Sequence, residues 1–327
     1  MRPKHLRRKH LISLTALSLV FASFNAEAQT WPTKPLKAIV PIAAGSITDI
    51  VPRVVFEQVS VQLGQPIVVE NRPGAALTIG TAAVAKADPD GYTLLVNSTA
   101  HAIAPALHPN LSYDPERDFA AVSPLGVVPS VLVVPPARGF KSVAEFVAAA
   151  KAKPDAMNFA SAGVGTGTHL GAIRFQLSAG VRATHVPFKS GPEALTEVMA
   201  GRLDFFLVPI GVALPHIKEG KLTGLVVNTA KRASALPDVP TVAEAGFTNA
   251  EYPFWLGVFL PAKTPRDIVE KLNREIGKAL QEPKVKDKLA ALGVEPMTMS
   301  AGEFNAYVAQ EIGASAALVK AAGLTPQ

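Results

Sequence analysis

The sequence predicts an open α/β fold arranged in two domains, and three observations carry that expectation. Short apolar, β-branched runs alternate with segments of helical period, the pattern that builds βα units around a largely parallel sheet. Several of those runs end in small polar loops that open directly into a helix-like segment. A chain of 327 residues, about 300 without an N-terminal leader, exceeds one comfortable hydrophobic core.

The leader is read from the first residues. Met1 to His10 is strongly basic, Leu11 to Phe24 is apolar, and Ala26-Glu27-Ala28 supplies an A-x-A site, so residues 1–28 are expected to be a signal peptide cleaved after Ala28. The apolar run is shorter than the ~20 residues that span a bilayer, which argues against a membrane anchor. Arg7-Arg8 hints at twin-arginine export, but ordinary secretion is the simpler reading. Removing five bases (Arg2, Lys4, Arg7, Arg8, Lys9) and one acid (Glu27) takes the formal charge from +6 to +2. The basicity is mostly leader, and no Lys/Arg cluster with interleaved aromatics remains to bind nucleic acid. The absence of cysteine removes disulfides, thiolate metal sites, cysteine nucleophiles and a lipoprotein anchor together. A soluble, periplasmic protein is expected.

In chain order, strands are expected over 37–42, 66–70, 92–96, 131–134, 158–160, 183–187, 203–207, 222–228 and 255–260, and helices over 49–61, 78–86, 143–151, 168–177, 192–200, 266–280 and 301–321. The first strand breaks into Ala43-Ala44-Gly45-Ser46, and Thr48 or Asp49 is placed to cap the helix that follows. A strand, a tight turn and a helix start aim free N–H groups and the positive end of a helix dipole at one point, a seat for an anion. Pro52 requires that helix to start only a few residues before it. The segment 71–74 reads as a turn, with Arg72 as a remote candidate clamp.

A second polar loop, Asn97-Ser98-Thr99-Ala100-His101, follows the third strand and precedes a short helix. Its hydroxyls and N–H groups could join the first seat, because open α/β sheets bind ligands at the carboxyl ends of their strands. His101 reads as a hydrogen-bond donor or cap, since no second ligand lies at metal spacing. The third loop is the richest: Ser161-Ala-Gly163-Val-Gly165-Thr166-Gly167-Thr168-His169 leads into a helical segment, and its glycines let backbone approach an anion closely. A dinucleotide fingerprint is the rival reading, but the next strand ends at Pro187-Phe188-Lys189 and not at an acid for a ribose. The segments 88–91 and 114–118 are turn punctuation, too isolated for acid–base catalysis.

Trp31-Pro-Thr-Lys-Pro-Leu-Lys-Ala-Ile-Val-Pro41 followed by Ala44-Gly-Ser-Ile-Thr-Asp49, then the blocks at 63–74, 90–95, 161–163, 185–189 and 236–246, resemble the Bug-type solute receptors in the family's order. These are the extracytoplasmic substrate-binding proteins of tripartite tricarboxylate transporters. The resemblance runs almost to the last residue. It implies a two-domain periplasmic-binding-protein fold, type II-like, a Venus flytrap with the ligand cleft between domains. It also implies that Phe188 offers the cleft an apolar wall, that Lys189 could neutralise a distal carboxylate, and that Val208 takes a strand-end position where relatives often carry a polar residue. Gly45-Ser46 and Phe188 depart from the family's frequent Gly-Gly and Tyr. The expected domains are residues 29–127 with 251–327, and residues 128–250. The segment 222–228 resembles a return towards the first domain and 241–255 a second crossing, a pair of linkers suited to a hinge.

The function expected is capture of a small carboxylated organic solute, without catalysis and without a cofactor, by a monomeric chain. The resemblance implies integral-membrane permease subunits as partners, or a sensory system that shares the same binding chemistry. An exported hydrolase using Ser46, Ser98 or Ser161 lacks a G-x-S-x-G elbow and an evident base–acid pair.

Overall fold

The first strand of the computed structural model is β1 (Leu36–Val40); residues 31–321 and 323–325 are described, and the leader expected over residues 1–28 lies outside them. β1 leads into α1 (Ile47–Leu63), β2 (Ile67–Asn71), α2 (Thr78–Ala85), β3 (Thr93–Ser98) and α3 (Ala100–Leu107). Then come β4 (Phe119–Val128), β5 (Ser130–Val134), α4 (Val143–Ala152), β6 (Asn158–Ser161), α5 (Gly167–Ala179) and β7 (Thr184–Pro187). α6 (Gly191–Met199), β8 (Phe205–Pro209), α7 (Ile210–Lys218) and β9 (Thr223–Val227) follow. β10 (Phe254–Pro261), α8 (Arg266–Gln281), α9 (Pro283–Ala291) and α10 (Ala301–Ala321) complete the chain.

The strands form two five-stranded sheets, ordered β2-β1-β3-β10-β4 and β7-β6-β8-β5-β9. The first draws on residues before Pro129 and after the return at β10; the second lies wholly between them. β1 pairs in parallel with β2 and β3, and β6 with β7 and β8. β10 runs antiparallel to β3 and β4, and β5 antiparallel to β8 and β9. The expectation of largely parallel sheets is therefore corrected. A helical crossover on the same sheet makes the next strand parallel, whereas β5 and β10 each enter from the other sheet and insert in the opposite direction.

Helices cover both faces of the sheets, so inner strands are apolar throughout: Leu94, Leu95 and Val96 are fully buried, as are Val131 to Val134. In α8 the buried residues Ile268, Leu272, Ile276 and Leu280 recur every four positions and make one apolar stripe. β4 escapes the strand pattern because Pro124 and Gly126 interrupt it; its ladder with β10 absorbs them through two register shifts. α7 is masked in the sequence by Gly211 and Pro215, and α9 is short and begins at Pro283. β9 pairs with β5 at the edge of the second sheet, so 222–228 is not yet the return. The helix expected from 49 starts at Ile47 with Ser46, not Thr48 or Asp49, as its N-cap.

The two sheets meet at a shared apolar cluster. Ile103 of α3, Leu170 of α5, Tyr252 before β10 and Leu318 and Val319 of α10 are buried together. Beside it, the buried side chain of Asn228 accepts the Ser130 N–H at 2.8 Å and donates to the Tyr252 carbonyl at 2.6 Å. Asn228 thereby ties the outgoing crossing to the returning one.

Candidate ligand-binding site

Three strand-to-helix loops frame the site, and each is held from behind. In the first, Gly45 adopts φ 87°, a left-handed turn that glycine makes without steric cost. The buried Asp49 carboxylate accepts the Gly45 N–H at 2.9 Å, Arg53 Nε at 2.9 Å and Asn71 Nδ2 at 2.9 Å. Burial alone would raise its pKa, but the bonds from Arg53, Gly45 and Asn71 together outweigh it and hold the group below its ordinary value. Asp49 thus fastens the loop 43–46 to α1 and β2. Ala44 and Gly45 are exposed on that loop and Ser46 is half-buried.

In the second loop, Ser98 Oγ accepts the Ala100 N–H at 3.3 Å, and the Thr99 N–H reaches the Trp255 carbonyl at 3.2 Å. His101 turns away from the loop. It is fully buried, stacks on Phe259 at 4.4 Å and bonds the Pro115 carbonyl through Nε2 at 2.9 Å. Burial depresses its pKa to about 4. It is a neutral core residue, so the placement of His101 with the ligand groups is corrected.

In the third loop the polar side chains point back into the loop itself. Thr166 Oγ1 donates to the Gly163 carbonyl at 2.7 Å, and Thr168 Oγ1 accepts the Ala162 N–H at 3.0 Å. His169 Nδ1 accepts the Gly165 N–H at 3.2 Å and its ring stacks on His185 at 3.8 Å. Burial first, and then neighbouring His185, lower the His169 pKa to about 4. Ser161 Oγ lies 2.6 Å from His185 Nε2, but Ser161 is completely buried, so the pair braces the loop out of reach of an acyl substrate. A Cβ on Gly165 would sit 3.2 Å from Leu107 Cδ1, and one on Gly167 3.3 Å from Phe254 Cδ2. Bare backbone is what lets this loop approach α3 and β10.

Capping separates these loops from those that open α4 and α6. Ser46, Thr99 and Thr166 are N-caps of α1, α3 and α5, and none makes a side-chain capping bond. Ser142 and Ser190, N-caps of α4 and α6, accept the N–H of Glu145 and Glu193. First-turn N–H groups of α1, α3 and α5 are therefore left for another acceptor, apart from the Ala100 N–H, which Ser98 Oγ takes.

A cavity of about 360 Å³ opens where those three helices start. Its polar part is Thr48, Ser98, Thr99, His108, Thr325 and the backbone of Gly165, Thr166 and Gly167; its apolar part includes Leu77, Ile103, Leu107, Tyr252, Phe254 and Leu324. No Lys, Arg, Asp or Glu lines it among the described residues. Six sequence-predicted residues thus meet at one cavity. Ala44, Gly45, Ser46, Asp49, Ser161, Gly163, Thr168 and His169 support its loops from outside the lining. Phe188 packs beside the second-sheet core, Lys189 is exposed, and Val208 is fully buried in strand pairing with Val131, so these three do not line it. The apolar wall was missed because nothing marks Leu77 or Leu107 in sequence; Tyr252 and Phe254 do stand out, as paired aromatics within the expected second crossing. No group of three or more His, Asp or Glu among the described residues could hold a metal ion.

Two α/β sheets with three uncapped helix starts opening on one cavity define a solute-binding protein of the two-domain periplasmic type. The chain belongs to the tripartite tricarboxylate transporter receptor family, TctC, whose model matches residues 51–324. It is 35% identical to protein BugT of Bordetella pertussis over 96% of this chain and 97% of that one. Among solved structures it is similar to Rpa4515 of R. palustris with adipate, at TM-score 0.76 and 31% identity over 91% of this chain and all of the other. It is also similar to MatC of Rhodopseudomonas palustris with bound malate, at TM-score 0.71 and 34% identity over 88% of this chain and 99% of that one. These relatives are binding proteins, and the chain is a binding protein and not an enzyme.

Proposed function

We propose that the chain captures a small carboxylated organic solute in the cavity between its two sheets and delivers it to integral-membrane permease subunits from the periplasm, after removal of residues 1–28. The observation that carries this reading is the convergence of three helix starts whose N-cap hydroxyl residues make no side-chain capping bond. A carboxylate placed there accepts backbone N–H groups, directly or through water, and meets three positive dipole ends. The adipate and malate held by Rpa4515 and MatC support an acid as the ligand. The bodies that close on it are residues 29–127 with 251–327, and residues 128–250, hinged at the crossings tied by Asn228. Ligand contacts made only in the closed form shift that equilibrium.

The test is a melting-temperature screen of the exported protein, refolded once to strip bound ligand, against carboxylates and their amides. An acid at ~100 times its dissociation constant stabilises the native state by about 2.7 kcal/mol. A shift with acids and none with amides is the expected result; equal shifts for both would remove the carboxylate seat.

A further inference from the structure

We propose that the solute is a monocarboxylate with an uncharged, apolar body, and not a di- or tricarboxylic acid. This rests on the reading of the three helix starts as a carboxylate seat. The anion donors gathered at the helix starts are the hydroxyls of Thr48, Ser98 and Thr99 and the Gly167 N–H, because the Gly165 N–H is taken by His169 and the Thr166 N–H by the Gly163 carbonyl. The rest of the wall is mostly hydrocarbon and ring, its other polar side chains being His108 and Thr325, and no Lys or Arg lines the cavity among the described residues. A second carboxylate pressed against Leu107 or Leu324 would lose hydration with only His108 and Thr325 to bond it and no Lys or Arg to pair it, which is costly for an ionised group. An apolar body in the same place gains by burial.

The apolar end is a built surface. Leu77 holds a left-handed backbone, φ 73°, a conformation that disfavours a branched residue and persists only where its surroundings fix it. Gly165 and Gly167 bring bare backbone against Leu107 and Phe254. Leu324 reaches the cavity because α10 stops in a left-handed glycine, Gly323 at φ 63°, and the Leu324 N–H returns to the Val319 carbonyl at 3.1 Å. That turn folds Leu324 back onto the cluster of Ile103 and Tyr252. Lys189, the cation the sequence offers for a distal carboxylate, is exposed and lies outside the lining.

Isothermal titration calorimetry on the ligand-stripped protein decides the matter, with benzoate, phenylacetate and 4-methylpentanoate set against adipate, malate and citrate, and with phenylacetamide as the uncharged control. The expected result is at least tenfold tighter binding of an apolar monocarboxylate than of any polycarboxylate, and at least hundredfold weaker binding of the amide. A polycarboxylate binding tightest would overturn the inference while leaving the carboxylate seat standing. Amide binding as tight as the acid, or no binding by any acid, would overturn the seat and the inference with it. Leu324→Lys places a cation at the apolar end and is expected to move the preference at least tenfold towards adipate. An unchanged ratio in that variant, with cooperative melting retained, counts against the wall; if it fails to fold, the wild-type panel alone decides.

Discussion

Asp49 shows how one side chain can serve a ligand it does not touch. Its carboxylate is spent on Gly45, Arg53 and Asn71, so its contribution to binding is the position of the loop in front of α1. Asp49→Ala leaves the Gly45 N–H and the Asn71 amide short of an acceptor, and is expected to cost about 1–3 kcal/mol of stability and to weaken ligand binding. Wild-type affinity by calorimetry would reduce Asp49 to an ordinary first-turn acid. The histidines make a pH prediction of definite sign. His101 and His169 have pKa values lowered from 6.5 to about 4, so the folded state refuses protons that the unfolded chain accepts. Stability is complete above the unfolded value of 6.5 and declines as pH falls towards 4. The decline between pH 6.5 and 5 belongs to histidine, because Asp49, held below its ordinary value, loses its contribution only further down. A melting temperature flat from pH 6.5 to 5 would show that these rings are hydrated and not buried.

At the scale of the element, the loop between β6 and α5 carries the sharpest constraint. Gly165 adopts φ 75° and faces Leu107 across 3.2 Å of its would-be Cβ contact, so Gly165→Val meets both backbone strain of about 1–2 kcal/mol and a steric clash. Loss of ligand binding by at least a hundredfold with a cooperative melting transition is the expected outcome; retained affinity would place the ligand elsewhere. The glycine run, the strand ends and the polar starts of α1, α3 and α5 were legible because each is a local signal: a β-branched run, a φ that only glycine adopts freely, a hydroxyl before a helix. What was not legible is what depends on partners distant in sequence. Leu107 and Leu324 become a wall only when α3 and the end of α10 meet. Ser46, Thr99 and Ser190 look alike in sequence, yet only Ser190 bonds its own first turn. His101 occupies a polar loop in the sequence and an aromatic stack in the fold, because α3 turns it towards Phe119 and Phe259. The antiparallel insertion of β5 and β10 is likewise a matter of where the chain crosses, which no local pattern encodes.

At the scale of the whole molecule, everything proposed for ligand capture passes through the two crossings, and a single buried amide joins them. Asn228 accepts from Ser130, where the chain first enters the second sheet, and donates to Tyr252, where it leaves. Its backbone repeats the tie, since the Asn228 N–H donates to the Ser130 carbonyl at 3.0 Å and the Tyr252 N–H donates to the Asn228 carbonyl at 3.1 Å. Asn228→Ala leaves a buried N–H and a buried carbonyl unpaired, at about 1–3 kcal/mol for each, so a total loss of about 2–6 kcal/mol is expected, which reaches the range of a severe single substitution. Asn228→Asp separates the two bonds. It can still accept from Ser130 but sets an oxygen against the Tyr252 carbonyl, so it is expected to destabilise at least as much as alanine. Urea unfolding of both variants measures this through the midpoint at unchanged slope. A loss below about 0.5 kcal/mol, the scale of an ordinary surface change, would mean that the apolar cluster of Ile103, Leu170 and Tyr252 holds the crossings by itself, and that the hinge is set by packing and not by the amide.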